Sequence, residues 1–254
     1  MLEDKNILNY RIVGNGYPVV FLHGFLESNA MWEDILPSLK EIQAICIELP
    51  GHGKSPLLNE KLSLPLISET VKYTLQSISV TRFSIIGHSL GGYVALHLIE
   101  DTSLSIEQVI LFHSHPWADA ESKKMDRNRV AEIVKHNKML FLKEAIPYLY
   151  SNPERYESKI NRLIEDAYKM SPESIIQTLH AMRDREDKTS VLKDFREKIY
   201  IIQGEFDQLI DARLMEEVAQ KNRNNFHLIK NIGHMGHHEA KEEVTTLLMD
   251  FYAK

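Results

Sequence analysis

The chain has 254 residues, 43% of them hydrophobic and 26% charged. This fits one soluble α/β domain with a sizeable insertion and excludes collagen-like, disordered and disulfide-scaffold classes. A formal net charge of −6 argues against binding nucleic acid or an anionic membrane through a general basic field.

Cys46 is the single cysteine, so no intrachain disulfide can form, and its place in an apolar run suggests a buried strand. No apolar run reaches the roughly 18 residues of a membrane span. Residues 1–6 lack the basic and then apolar pattern of a secretory signal, so the expected location is cytoplasmic.

In chain order, residues 7–13 and 19–22 are separated only by Gly14-Asn15-Gly16, which suggests an opening antiparallel hairpin. Short apolar runs follow at 44–47, 83–86, 109–112, 199–202 and 226–229, each closed by small or turn-forming residues. Runs that are continuous, not alternating, indicate strands covered on both faces. Amphipathic stretches at 67–78 and 93–100 lie between them, so strand and helix alternate and the sheet should be mostly parallel. Residues 116–193 lack such runs. They show helical periodicity at Val130, Ile133 and Val134, again at Ile160, Leu163 and Ile164, and a helix start at Ser171-Pro172. The expected organisation is a core made of residues 1–115 and 194–254, with an all-helical insertion at 116–193.

The chemistry concentrates where the run at 83–86 meets Gly87-His88-Ser89-Leu90-Gly91-Gly92. Gly-x-Ser-x-Gly between a strand and a helix makes a turn tight enough to hold a serine hydroxyl clear of the backbone. No lysine follows Gly92 as a phosphate loop needs, and the spacing does not match a dinucleotide fingerprint. A serine needs a base, and the base needs orienting. Asp207 lies just past the run at 199–202, and His234 just past that at 226–229. Strand C-terminal ends share one edge of a parallel sheet, so Ser89, Asp207 and His234 are expected to converge as nucleophile, acid and base.

These residues, with His23-Gly24-Phe25, the segment from Pro50-Gly51-His52-Gly53 to Lys54-Ser55, Gly204 ahead of Asp207, and Gly233-His234, make the chain similar to the α/β-hydrolase family over nearly its whole length. The resemblance implies an α/β-hydrolase fold, with a mostly parallel central sheet and helices on both faces. It further implies an oxyanion hole from the backbone N–H groups of Phe25 and Leu90, and a cap formed by the insertion. It favours Asp207 over the nearby Asp211. Relatives often carry Asp where this chain has Glu48, which is expected to be structural. His23, His115, Trp117 and Met235 are candidate substrate contacts. A lid bearing Trp117, Met139, Phe141, Tyr148, Tyr150, Tyr168 and Met182 favours an apolar or aromatic acyl group, although most of these should pack between helices.

The expected activity is hydrolysis of a small ester or related acyl compound by a carboxylesterase-like enzyme. Carbon–carbon bond hydrolases, thioesterases, lactonases and cofactor-free lyases use the same triad, and a ligand-binding receptor on this fold is the alternative outside catalysis. The expected partner is a small acyl molecule. His234-Met235-Gly236-His237-His238 carries no zinc spacing, so neither metal nor cofactor is expected, and His237 and His238 should begin the last helix. His88 should pack beside Ser89 without acting as base, His97 should pack on its helix, and the charge run at 183–188 should be a solvated helix end.

Overall fold

The computed structural model describes residues 7–252. Seven strands make one sheet: β1 (Tyr10–Gly14), β2 (Tyr17–Leu22), β3 (Ile42–Ile47), β4 (Arg82–His88), β5 (Ser105–Phe112), β6 (Ile199–Gly204) and β7 (Asn225–Ile229). Their spatial order is β1-β3-β2-β4-β5-β6-β7, and every neighbouring pair is parallel except β1 with β3. The helices are α1 (Leu64–Ser77), α2 (Leu90–Leu98), α3 (Glu121–Ala145), α4 (Glu157–Tyr168), α5 (Pro172–Arg183), α6 (Thr189–Asp194), α7 (Ala212–Asn222), α8 (Gly236–Glu239) and α9 (Lys241–Tyr252).

The continuous apolar runs have a simple cause. Side chains alternate across a strand, and each run feeds two buried layers. Val20, Leu22, Ile45, Ile47, Ile85, Val109 and Leu111 enter one core with α1, α2 and α7. Val19, Phe21, Ala44, Cys46, Ile86, Ile110 and Phe112 enter a second, closed by Trp32 and by Val244, Leu248 and Phe251 of α9. Trp32 meets Phe21 edge-on at 5.2 Å between ring centroids, a geometry that adds about 0.5–1.5 kcal/mol beyond burial.

The expected opening hairpin does not form. β1 pairs with β3, from Tyr10 opposite Ile47 to Gly14 opposite Gln43, so β3 lies between β1 and β2. The connection bridges the start of β3: Tyr17 N–H donates to Glu41 C=O at 3.1 Å. A Cβ on Gly14 would stand 2.6 Å from Ile42 C=O, and one on Gly16 would collide with Glu41 C=O; both glycines have positive φ, +79° and +136°. Gly14-Asn15-Gly16 thus clears a third strand instead of closing a two-residue turn.

Helices α3 to α6 occupy the stretch between β5 and β6, in keeping with its helical periodicity. Ser171 caps α5 by accepting the Ser174 N–H. The long α3 breaks at Asn137 (φ −152°, ψ 77°), whose side chain accepts the Leu140 N–H at 3.0 Å and restarts the helix. His237 and His238 lie in the short α8 instead of starting the last helix, which begins at Lys241. Arg185 departs from the expected solvated run. It is 7% exposed, pairs with Asp119 at 2.8 Å and lies 4.3 Å over the Tyr93 ring. Its donors reach the carbonyls of Trp117 and Met182, so the guanidinium is a buried clamp within the insertion.

Candidate active site

From β2 the chain winds to β3 on one side of the sheet, then from β4 outward on the other. The strand order therefore reverses between β2 and β4, where open α/β sheets form their crevice. His23-Gly24-Phe25 leaves β2 at this point, and Ser89 leaves β4 beside it.

Ser89 holds φ 48° and ψ −109°, a conformation that costs a non-glycine residue about 1–3 kcal/mol and persists only when its surroundings impose it. Those surroundings are specific. Ser89 N–H donates to Phe112 C=O at 3.0 Å, while Ser89 C=O accepts from Gly92 N–H at 3.0 Å and from the Ser114 hydroxyl at 2.8 Å. Side chains at Gly87 or Gly91 would collide with the carbonyls of Gly91 and Leu22 respectively, so both glycines are required by close backbone approach. Leu90 opens α2, where an N–H has no carbonyl one turn back to receive it.

Asp207 and His234 are brought together. His234 Nδ1 lies 2.6 Å from Asp207 Oδ2; since a carboxylate only accepts, Nδ1 carries a proton, and in the neutral ring the lone pair is then on Nε2. Oδ2 also accepts from Gln203 Nε2 at 2.8 Å, and Oδ1 accepts the N–H groups of Leu209 at 2.9 Å and Ile210 at 3.2 Å. Burial alone would favour the neutral acid, but the charge and hydrogen bond of the neighbouring His234 hold the carboxyl well below the usual carboxylate range. His113 Nδ1 accepts the Gly204 N–H at 3.2 Å, so it has no proton to give Asp207 Oδ2 3.5 Å away. Burial pushes the His113 pKa down to about 4. Asp211, by contrast, caps α7 through Arg213 and Leu214 N–H.

Several contributors were not visible in the sequence. Glu27 Oε2 accepts the Gly24 N–H at 2.7 Å and faces His88 Nδ1 at 2.7 Å. His88 Nε2 donates to His234 C=O at 3.0 Å, linking the residue before Ser89 to the loop of His234. Leu149, in the helical insertion, receives the His234 N–H at 2.7 Å. Ser114 and Gln203 complete the set. No local motif marks any of them, and the links from Glu27 to His88, His88 to His234, Leu149 to His234 and Ser114 to Ser89 join residues remote in sequence.

The candidate substrate contacts separate. His23 is fully buried, donates from Nδ1 to Gly24 C=O at 2.8 Å and accepts Leu49 N–H on Nε2 at 2.9 Å, leaving no ring nitrogen for a ligand. Met235 is buried and lines a cavity of about 40 Å³ with Glu27, Met31 and His237, and Ser89 does not line it. His115 stacks on Trp117 with centroids 4.5 Å apart and lies 3.0 Å from the Tyr93 hydroxyl, one helical turn past Ser89. Burial and Arg185 lower the His115 pKa well below the usual value, so the ring is neutral. Phe25 packs edge-on to His52 at 6.3 Å and against Phe141 of the insertion at 6.5 Å. Glu48 takes a structural place, accepting from Asn9 Nδ2 at 2.8 Å, Lys54 N–H at 2.6 Å and Asn29 N–H at 3.4 Å. Among the insertion's bulky residues Tyr150 and Met182 are buried, whereas Tyr148 and Tyr168 are exposed.

Two groups have metal-like donor spacing among the described residues, Glu27–His88–His237 and His113–Asp207–His234. In the second, Asp207 is already satisfied by N–H donors. In the first, Glu27 and His88 already share a hydrogen bond.

The described residues include no helix long and apolar enough to cross a membrane. The family described as alpha/beta hydrolase fold matches residues 17–241. A 2-succinyl-6-hydroxy-2,4-cyclohexadiene-1-carboxylate synthase from Enterobacter sp. (strain 638) is 25% identical over 240 residues, 92% of this chain and 91% of the relative. A thermophilic esterase from Thermogutta terrifontis, solved with malate bound, superposes with a TM-score of 0.89 at 24% identity, covering 97% of this chain and 93% of the other. An enol-lactonase from Burkholderia xenovorans LB400 gives 0.88 at 18% identity, covering 97% and 96%. With the match spanning the strand-order reversal, the Ser89 turn and the loops of Asp207 and His234, the chain belongs to the alpha/beta-hydrolase fold family and is one of its enzymes.

Proposed function

We propose that this enzyme hydrolyses a small ester or related acyl compound through an acyl-enzyme on Ser89. The observation that carries this is the 2.6 Å bond from His234 to Asp207, which fixes the imidazole with its basic Nε2 free, on the sheet edge where the strained Ser89 turn lies. His234 takes the Ser89 proton as the hydroxyl oxygen attacks the carbonyl carbon. The N–H groups of Phe25 and Leu90 hold the resulting oxyanion, a role worth about 2.7–4 kcal/mol per donor. His234 then protonates the departing alcohol, and a water activated by the same base releases the acid. Asp207 keeps the tautomer and stabilises the imidazolium.

Residues 116–193 act as the cap over this site, between core segments whose described residues run from 7 to 115 and from 194 to 252. The Leu149–His234 bond and the Phe25–Phe141 contact support that role. His115 and Trp117, at the junction of the core with this segment, are the substrate contacts we favour. The test is Ser89→Ala assayed on short p-nitrophenyl esters; undiminished turnover sinks the proposal. A fluorophosphonate that labels wild type at Ser89 separates turnover from the simple binding of a receptor.

A second reading is lyase-type elimination, in which His234 removes a carbon-bound proton and the C–H electron pair forms a C=C bond. The group on the adjacent carbon departs with its bonding pair and takes the proton from the imidazolium, so that no water is consumed. It is favoured by the match to the synthase relative over 92% of this chain and 91% of that one. Following formation of the compound that names this relative, beside ester, thioester and lactone panels, distinguishes the two.

A further inference from the structure

We propose that Glu27 is a positioning residue: through His88 it ties the Gly24-Phe25 turn, the Ser89 elbow and the His234 loop into one unit. The role in turnover rests on the acyl-transfer reading above; the physical link does not.

Glu27, His88 and His234 are all nearly fully buried. The proton count of the chain they form follows from its acceptors. His234 C=O, 3.0 Å from His88 Nε2, can only accept, so Nε2 carries a proton. A second proton must lie between His88 Nδ1 and Glu27 Oε2, 2.7 Å apart, because two lone pairs would repel at that distance. Oε2 also holds the Gly24 N–H at 2.7 Å, immediately before the Phe25 donor. One carboxylate oxygen thus fixes the turn that presents one oxyanion donor and, through a single ring, the loop that carries the base.

The pair is built as an ion pair. Burial opposes the His88 cation, yet the charge and hydrogen bond of Glu27 outweigh it and raise the His88 pKa; burial likewise opposes the Glu27 carboxylate, and His88 overcomes it and lowers the Glu27 pKa. The Gly24 backbone packs directly against this pair. A Cβ on Gly24 would stand 2.5 Å from Glu27 Oε2 and 2.7 Å from His88 Nδ1, which gives the glycine of the His-Gly turn its reason. The proposed catalytic groups do not account for Glu27: it is remote from Ser89 in sequence, and its partner His88 has both nitrogens committed.

Glutamine at position 27 keeps the hydrogen bonds without the charge. Its amide oxygen, placed where Oε2 stands, can accept both the Gly24 N–H and the Nδ1 proton of a His88 that still donates from Nε2 to His234. Alanine removes both connections and leaves His88 without its counter-charge, a change that can also cost stability. The experiment measures kcat and KM on a p-nitrophenyl ester for Glu27→Ala and Glu27→Gln, with Ser89→Ala as control. Melting curves for all variants and backbone amide spectra of wild type, Glu27→Ala and Glu27→Gln accompany it.

The expected result is a kcat loss of about 10²-fold for Glu27→Ala, with KM unchanged within about threefold and Glu27→Gln restored to within about tenfold of wild type. In the spectra, the amides of Gly24 and Phe25 and those of His234 and Met235 shift together in Glu27→Ala. If that variant does not fold, Glu27→Gln must retain both activity and wild-type amide positions. The proposal is overturned if alanine keeps kcat within about threefold, if glutamine is no better than a folded alanine variant, if KM carries the loss, or if the shifts stop at residues 24–28. Should Ser89→Ala retain full turnover, the acyl-transfer reading fails, while coupled shifts in the two loops would still establish the link itself.

Discussion

Asp207→Asn tests the proposed role of the His234–Asp207 pair. In wild type, Oδ2 accepts from His234 Nδ1 and Gln203 Nε2, and Oδ1 accepts from Leu209 and Ile210 N–H. Four donors point at two oxygens, and an amide can offer only one. If the asparagine oxygen faced His234, its NH₂ would confront two fixed backbone donors, leaving buried N–H groups unsatisfied at about 1–3 kcal/mol each. With the oxygen toward Leu209 and Ile210, the NH₂ faces His234, which adapts by moving its proton to Nε2. The second arrangement wins, and it removes the lone pair that should deprotonate Ser89. By analogy with the same substitution in serine proteases, kcat should fall about 10⁴-fold, equivalent to about 5 kcal/mol of barrier. Steady-state kinetics on a p-nitrophenyl ester, with circular dichroism to verify the fold, measures this. A folded Asp207→Asn variant within tenfold of wild type would refute the tautomer reasoning.

Three further outcomes are expected. Ser114→Ala removes the hydroxyl donor to Ser89 C=O while Gly92 N–H remains; stability should drop by about 1 kcal/mol in urea unfolding, with kcat reduced about tenfold as the turn relaxes. Glu48→Ala strips the acceptor from Asn29 and Lys54 N–H, so unfolding free energy should fall by about 1–3 kcal/mol while kcat stays at the wild-type level. Burial lowers the pKa of His52 to about 3 and of His113 to about 4. The unfolded chain binds these protons first, near its ordinary histidine value of about 6.5, so stability present at neutral pH is lost on acidification from there toward pH 4. Urea midpoints across that range check the sign, and a midpoint that rises on acidification contradicts it.

The parts of the fold legible in the sequence were those written locally. Runs such as Val19 to Leu22 read as doubly covered strands because alternate side chains serve different cores. The Ser89 turn was legible because its glycines are required within five residues. Asp207 and His234 could be placed because each follows a strand end, and their bond has the expected sense. The pairing of β1 was not legible: Gly14-Asn15-Gly16 permits both a hairpin and a bridge over β3, and the choice lies in Glu41 and Ile42, distant in sequence. Glu27 was missed for the same reason, since its partner His88 is 61 residues away. Arg185 was misread because a mixed charge run looks solvated until the tertiary fold supplies Asp119 and the Tyr93 ring. His23 looked like a pocket residue from its motif, and only its two backbone bonds reveal a structural place.

The central claim is that Ser89 carries the acyl group. Rapid quenching of wild type and Ser89→Ala during turnover of a p-nitrophenyl ester, followed by peptide mass analysis, tests it most directly. The account predicts an acyl mass increment on the wild-type peptide containing Ser89, with neither increment nor turnover in the variant. Full turnover by Ser89→Ala, or an acyl group carried on another residue, would contradict it.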